Sequence, residues 1–163
     1  MDAIECLKTR RSVRAYTEDP VPVPIIEDIV DSARLAPTAM NRQPWAFVVV
    51  RDQAARARIA ELTGHAAFIA QAPVCIAVFC HAGDYWIEDG SAATLNLLNA
   101  ARAHGLGSCW VAGYPLEYAG PIASLLGAPA DHQLLSLVAV GHAAEDPHPE
   151  KRPLGDVLRW ERF

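Results

Sequence analysis

Four apolar runs divide the chain at intervals that are typical of buried strands. They lie at residues 46–50, 73–80, 108–113 and 134–140. Runs of this length with few polar interruptions predict strands, and the continuous run at 73–80 predicts a strand buried on both faces. Helix-forming stretches separate them, so helices and strands alternate and the fold class is α/β or α+β. We therefore expect one central sheet of four strands with helices on its faces.

The stretches before and between the strands predict five helices, and capping residues mark several of their ends. Asp2 suits the N-cap of a short first helix, and Pro24 suits the first residue of the second. The other three helices are expected at about 53–62, 84–104 and 116–126. Gly64 and Gly105 follow two of them, where a left-handed glycine commonly ends a helix.

The predicted helix over residues 84–104 has a nearly all-apolar middle. A helix that is apolar all round is buried, either in a large core or between subunits. Leu95, Leu97 and Leu98 are the candidate dimer seam, and the terminal Trp160 and Phe163 are candidates to wrap the partner chain. A 52% apolar content is rich for a monomer of 163 residues and favours the same interpretation. The length suits one domain, residues 1–163, with no internal repeat or linker.

Composition excludes several function classes. A formal net charge of −5 argues against a nucleic-acid partner, which needs a broad basic face. No signal peptide and no run of 18 apolar residues is recognisable, so no membrane association is expected and we predict a soluble, cytoplasmic protein. The four cysteines and six histidines lack metal-ligand spacing. Cys75 and Cys80 fall on opposite faces of one predicted strand, so buried free thiols are expected and no metal site is predicted.

The densest concentration of charge is the basic cluster, Arg10-Arg11-Ser12-Val13-Arg14. In an extended segment Arg10, Ser12 and Arg14 share one face, with a hydroxyl between two guanidiniums, while Arg11 points elsewhere. Guanidinium forks and a hydroxyl are the donors that bind a phosphate monoester. The alternative is a solvated basic turn after a short helix.

A polar loop over residues 37–45 is the second concentration of polar groups. Asn41 and Gln43 carry amides that suit a heterocycle edge with alternating C=O and N–H groups. The alternative is a plain helix-to-strand connection.

The sequence motifs of other cofactor-binding proteins and of hydrolases are absent. Gly105-Leu106-Gly107 follows a helix and precedes a strand, which is the reverse of the order in the dinucleotide-binding fingerprint. No phosphate-binding P-loop and no Gly-x-Ser-x-Gly elbow occurs.

Taken together and in order, these segments resemble the nitroreductase-like flavoproteins. Their Arg-x-Ser-x-Arg/Lys and Pro-Ser-x-x-Asn-x-Gln-Pro-Trp elements correspond to residues 10–14 and 37–45 of this chain. Further matches are Gln71-Ala72-Pro73, Gly105-Leu106-Gly107-Ser108-Cys109-Trp110 and Arg152-Pro153-Leu154. The resemblance implies an α+β fold, a three-layer sandwich whose central, mostly antiparallel sheet is flanked by helices, in an intertwined homodimer.

The resemblance also implies two FMN molecules at the subunit interface, each contacted by both chains. One chain would supply Arg10, Arg11, Ser12 and Arg14, with Arg152 as a late phosphate ligand and Lys151 as its possible assistant. Backbone groups of Val111, Ala112 and Gly113 would approach the reactive ring nitrogen. The partner chain would cover the same flavin with Pro37, Thr38, Ala39, Asn41 and Gln43.

The expected activity is transfer of hydride from NADH or NADPH through FMN to an electron-poor acceptor such as a nitroaromatic or a quinone, in a ping-pong cycle. Arg14 would stabilise the negative charge of the reduced ring. No side chain is predicted as general acid or base. Open alternatives are a specialised acceptor (enoyl, halophenol or oxygen) and a flavin-binding module without turnover. The chain departs from the family at Thr38-Ala39, where two serines are usual, and at Glu150, where a basic residue is common.

Overall fold

A computed structural model describes residues 1–163. In chain order the elements are α1 (Ala3–Thr9), α2 (Val23–Arg34), β1 (Trp45–Val50), α3 (Gln53–Thr63), α4 (Phe68–Gln71), β2 (Val74–His81), α5 (Trp86–Ala103), β3 (Gly107–Ala112), α6 (Ala119–Leu125), β4 (His132–Gly141) and α7 (Leu154–Val157). A 3₁₀ turn, Ala39–Asn41, interrupts the loop before β1. All four predicted strands and all five predicted helices are present, and the short helices α4 and α7 are additional.

The four strands form one antiparallel sheet in the order β1-β2-β4-β3. Trp45 pairs with Cys80 at one end of the sheet, and Gly107 pairs with Gly141 at the other. The register between β2 and β4 shifts after Val78 because β4 carries one extra residue there. This arrangement confirms the mostly antiparallel sheet of the α+β prediction.

Helices cover both faces of the sheet, which gives three layers and two apolar clusters. One cluster joins Cys75, Ala77 and Phe79 of β2 to residues of α3, α4 and α6. The other joins the alternate β2 residues to α2 and α5. Every side chain of β2 except His81 is therefore buried, as its continuous apolar run predicts. Cys75 and Cys80 lie in different clusters, on opposite faces of the sheet.

Local capping chemistry fixes several helix ends where the sequence places them. The Asp2 carboxylate accepts from the Glu5 N–H over 2.9 Å, and Asp52 caps α3 in the same way. Gly64 (φ 70°) and Gly105 (φ 75°) adopt the left-handed conformation after α3 and α5. Helix α2 begins one residue before Pro24, which occupies its second position.

The long helix α5 is amphipathic, which corrects the prediction of an interface formed by all three of its leucines. Leu97 and Leu98 are buried against the sheet within the chain, whereas Ile87 and Leu95 are 42% and 46% exposed. Only the outer face of α5 is therefore available to a second subunit. In the C-terminal segment Trp160 and Phe163 are also exposed. None of the helices combines the length and apolar content needed to cross a bilayer.

Candidate functional site

The basic cluster lies as a short extension along the outer edge of the sheet. Ser12 forms a parallel bridge with Ser108 in β3, and the Val13 N–H donates to the Ser108 carbonyl over 3.0 Å. The Val13 side chain is buried. Because side chains alternate along extended backbone, those next to Val13 turn outward. Because Val13 is buried, its neighbours Ser12 and Arg14 point towards solvent.

Contacts on both sides hold this extension rigidly. The Tyr16 hydroxyl donates to the Val13 carbonyl over 2.5 Å. Burial raises the pKa of Tyr16, so the hydroxyl stays protonated and remains a donor. Beneath the segment, a Cβ added to Gly107 would lie 2.9 Å from the Val13 Cβ, so β3 approaches closely only because residue 107 has no side chain. The cluster is therefore a fixed platform.

The basic cluster and the C-terminal segment enclose a pocket of about 400 Å³. The residues lining it are Arg10, Arg11, Ser12, Arg14, Pro147, His148, Pro149 and Lys151. No carboxylate lines the pocket, and neither Arg10 nor Arg14 takes part in an ion pair. The nearby Glu145 carboxylate accepts from the Arg14 main-chain N–H over 2.5 Å. We refer to this cavity as the basic pocket; its free cations and hydroxyl suit a phosphate monoester.

Two of the expected phosphate ligands, Arg11 and Arg152, differ from the others because their guanidinium groups donate to main-chain carbonyls. Arg11 lines the pocket, but its Nη1 donates to the carbonyls of Lys8 and Arg10, and its Nε is buried without a partner. Arg152 donates to the Asp156 carbonyl in its own terminal segment and does not line the pocket. Lys151, expected only to assist, does line it. The single chain thus assembles Arg10, Ser12, Arg14 and Lys151.

The loop of residues 37–43 is shaped by backbone strain. Met40, Asn41 and Gln43 have φ values of 53°, 55° and 50°, a region that residues with a side chain adopt rarely. The Gln43 N–H donates to the Thr38 hydroxyl over 3.4 Å and its Nε2 donates to the Asn41 carbonyl over 3.2 Å, so the exposed Gln43 side chain folds back onto its own loop. The Met40 side chain is 70% exposed. We call this segment the strained loop.

Asp89, in the first turn of α5, anchors the strained loop to the interior. Its Oδ1 accepts from the Ala39 N–H over 2.9 Å, and Asp89 is only 4% exposed. Its Oδ2 is buried without a partner. Asp89 also lines a cavity of about 300 Å³ with Arg42, His81 and Trp86.

Within one chain, the basic pocket and the strained loop lie at opposite corners. The loop leads into β1 at one edge of the sheet, whereas the cluster extends β3 at the other edge. Asp89 holds the loop near the start of α5, and Arg102 near its end donates through Nε to the Thr9 hydroxyl next to the cluster. At about 1.5 Å per residue, those anchors are about 20 Å apart along the helix. One protomer does not bring the two predicted halves together.

The third predicted segment lies at the far end of β3. Val111 and Gly113 are buried, and Ala112 is exposed. The Gly113 N–H donates to the Leu135 carbonyl over 2.8 Å, and a Cβ at position 113 would lie 2.3 Å from the Leu134 carbonyl oxygen. Gly113 is therefore held too tightly for any side chain, and its N–H is already engaged. An elongated ligand that extends from Ser12 along β3 would reach this segment after about 16 Å.

The cysteines contribute no reactive group. All four are buried and unpaired, and burial raises the pKa of both Cys75 and Cys80 to about 12. No group of three or more His, Cys, Asp or Glu side chains is arranged to hold a metal ion. The polar chemistry of the chain is concentrated in the basic pocket and around the strained loop.

Sequence reasoning missed two residues of these regions. His148 lines the basic pocket but lies in a proline-rich segment without a recognisable motif. Asp89 is the anchor of the strained loop, and its only signal is that it is one of two acidic residues, with Glu88, in the first turn of α5. That position is common for acidic residues because of the helix dipole, so the signal alone does not indicate an anchor.

Comparisons with known proteins show which family model and which relatives the chain matches. The model of the nitroreductase family matches residues 7–73 and 61–142. A protein of Methanothermobacter thermautotrophicus, provisionally described as an NADH dehydrogenase/NAD(P)H nitroreductase, is 37% identical over 153 residues, which cover 90% of this chain and 80% of that protein.

Solved structures show the same fold. A crystal structure from Bacteroides thetaiotaomicron with the same provisional description superimposes with a TM-score of 0.94 at 29% identity, over 99% of this chain and 98% of that one. A nitroreductase-like protein of Desulfovibrio desulfuricans, solved in complex with FMN, superimposes with a TM-score of 0.89 at 29% identity, over 100% of this chain and 98% of that one.

Proposed function

The chain belongs to the nitroreductase family, and from that premise we propose that it is an FMN-dependent oxidoreductase that takes electrons from NADH or NADPH. Its acceptor is an electron-poor small molecule, a nitroaromatic or a quinone. The observation that carries this proposal is the basic pocket, which gathers free cations and a hydroxyl and contains no carboxylate. Such a pocket in a chain with a net charge of −5 calls for an anionic ligand.

The residues present fit the phosphate end of FMN. Arg10, Arg14 and Lys151 supply positive charge, and the Ser12 hydroxyl supplies a donor between the two guanidiniums. Arg11 contributes charge to the wall while its Nη1 remains on main-chain carbonyls. In our proposal Arg152 does not bind the phosphate of its own chain, because it faces its own terminal segment.

The functional unit in our proposal is a homodimer. In one chain the strained loop and the basic pocket lie at opposite edges of the sheet, so we infer that Pro37, Thr38, Ala39, Asn41 and Gln43 cover the FMN held by the partner. The exposed face of α5 around Leu95 and the exposed terminal Trp160 and Phe163 supply apolar surface for such an interface.

The protein's own contribution is position and charge. When bound, FMN would accept hydride from the nicotinamide and pass reducing equivalents to the acceptor in a ping-pong cycle. Val111, Ala112 and Gly113 would present main-chain groups to the ring, with Gly113 fixed by its contact to Leu135. Arg14 would favour negative charge on the ligand beside it. Buried, unpaired thiols suit a reducing compartment, so we propose a cytoplasmic location.

Flavin binding and turnover test the proposal in that order. Purified protein should show flavin absorbance or take up added FMN with a stoichiometry of one per chain. It should then oxidise NADH or NADPH in the presence of a nitroaromatic or a quinone. A protein that neither carries nor takes up FMN would contradict the proposal.

The acceptor panel also separates the alternatives. An enzyme with a specialised acceptor would turn over only with a halogenated phenol, an enoyl compound or oxygen. A flavin-binding module would be reduced slowly or not at all by either nicotinamide. No feature of the single chain favours one of these alternatives over the nitroaromatic or quinone reductase.

A further inference from the structure

Asp89 is a buried carboxylate outside the basic pocket. Ala39 supplies its only hydrogen bond, through the main-chain N–H to Oδ1, and Oδ2 is buried without a partner. Buried carboxylates are unfavourable unless their oxygens find donors, so each one in a folded protein needs a reason to be there. Since Ala39 belongs to the strained loop, the reason is to be sought in that loop.

The strained loop needs an anchor of this kind. Three of its residues occupy the left-handed region, and such a backbone persists only where its surroundings hold it. Its other contacts are weak or exposed: the Gln43 N–H to the Thr38 hydroxyl is long at 3.4 Å, and Arg42 and Asp84 are 3.6 Å apart in solvent. The bond from the Ala39 N–H to the buried Asp89 carboxylate is charge-assisted, and it ties the loop to helix α5.

We propose that Asp89 is a positioning residue that holds the strained loop in the shape with which it covers the FMN of the partner subunit. This inference rests on the proposed function. The N-terminal end of α5 favours the negative charge of Asp89. At the other end of α5, Arg102 fixes Thr9 beside the basic pocket, so the same helix sets the spacing between two half-sites that serve different flavins.

The order of the loop is measurable without flavin. Trypsin cleavage after the exposed Arg42, followed by mass spectrometry of the full-length apoprotein, reports how often the loop opens. Asp89→Ala should increase this cleavage rate about tenfold, because a charge-assisted hydrogen bond is lost. Asp89→Asn retains an oxygen for the Ala39 N–H but loses the charge, so its rate should lie between those of the wild type and Asp89→Ala. Glu88→Ala is the matched control, since Glu88 is acidic, exposed and in the same helical turn.

FMN affinity then tests the role of Asp89 in binding. Asp89→Ala should raise the Kd for FMN about tenfold, Asp89→Asn should raise it less, and Glu88→Ala should leave it unchanged. If Asp89→Ala changes neither the cleavage rate nor the Kd, or changes cleavage alone, the proposal is overturned. If wild-type protein itself does not bind FMN, the proposed function fails as well, and that outcome is recognised before any variant is made.

Mixed dimers decide which subunit's flavin the loop serves. One subunit carries Asp89→Ala, and the other carries Arg10→Ala and Arg14→Ala. If the loop acts on the partner's flavin, both defects fall on one site, and the dimer binds one FMN with wild-type affinity. If the loop acted within its own chain, the remaining functional pocket would keep the Asp89 defect. A single site weakened about tenfold would therefore overturn the proposal.

Discussion

The basic pocket and the strained loop represent two ways of building half of a binding site. The basic pocket consists of charged side chains on a regular extension of the sheet, and Val13 and Tyr16 fix its backbone from below. The strained loop has few free charges and depends on its backbone conformation and on one buried carboxylate. Side-chain truncation should therefore damage the first region most, whereas backbone and anchor substitutions should damage the second.

The largest effect is expected where charge is removed from the basic pocket. Arg10→Ala combined with Arg14→Ala should weaken FMN binding more than about a hundredfold, because two charge-assisted contacts of about 1.5–3 kcal/mol each are lost. Fluorescence titration of FMN measures the change. The control is Arg34→Ala with Arg58→Ala, which removes two arginines in exposed ion pairs and should leave the affinity unchanged. Equal affinities of the two double variants would assign the phosphate to another region.

The support of the basic pocket is tested by a glycine that carries no charge. Gly107→Ala would place a Cβ 2.9 Å from the Val13 Cβ, so one of the two segments must move. We expect the free energy of unfolding to fall by about 1–3 kcal/mol in urea titrations. Gly120→Ala, in α6 with nothing within 4 Å, should instead be neutral or stabilising. A neutral Gly107→Ala would mean that the extension is not rigid.

The difference between the two regions also explains how far the sequence was informative. Hydrophobic runs predicted the four strands, three of which are mostly buried, and the alternation around Val13 predicted which cluster residues share a face. Arg11 was expected to point away, yet it lines the pocket, and its guanidinium donates to the main-chain carbonyls of Lys8 and Arg10. Such local capture depends on the exact path of the chain, which no periodicity encodes.

The strained loop was less predictable for a physical reason. Left-handed backbone is usually signalled by glycine, and here it occurs at Met40, Asn41 and Gln43 instead. Its anchor, Asp89, is separated from Ala39 by 50 residues in sequence. The meeting of the two therefore depends on the tertiary fold. Likewise, the separation of the two half-sites became evident only when strand order and the position of α5 were known.

Backbone strain in the loop can be tested at Met40, whose side chain is exposed. Met40→Gly relieves the left-handed conformation, whereas Met40→Val places a β-branched residue there. The glycine variant should be the more stable of the two by about 1–2 kcal/mol. Thermal unfolding of the apoprotein gives the order. The same pair at Ala46, an exposed strand residue, should show the reverse order because valine favours strands and glycine does not.

The smallest effect is expected at the ion pair between Arg42 and Asp84, which links the strained loop to the segment before α5. The charged atoms are 3.6 Å apart, and the side chains are 43% and 80% exposed, so solvent screens their attraction. A double-mutant cycle with Arg42→Gln and Asp84→Asn should give a coupling below about 0.5 kcal/mol in apoprotein stability, and salt should abolish it. A coupling above about 1 kcal/mol would mean that a surface charge shares the anchoring of the loop. The contrast with the basic pocket would then be weaker, because both half-sites would depend on charged side chains.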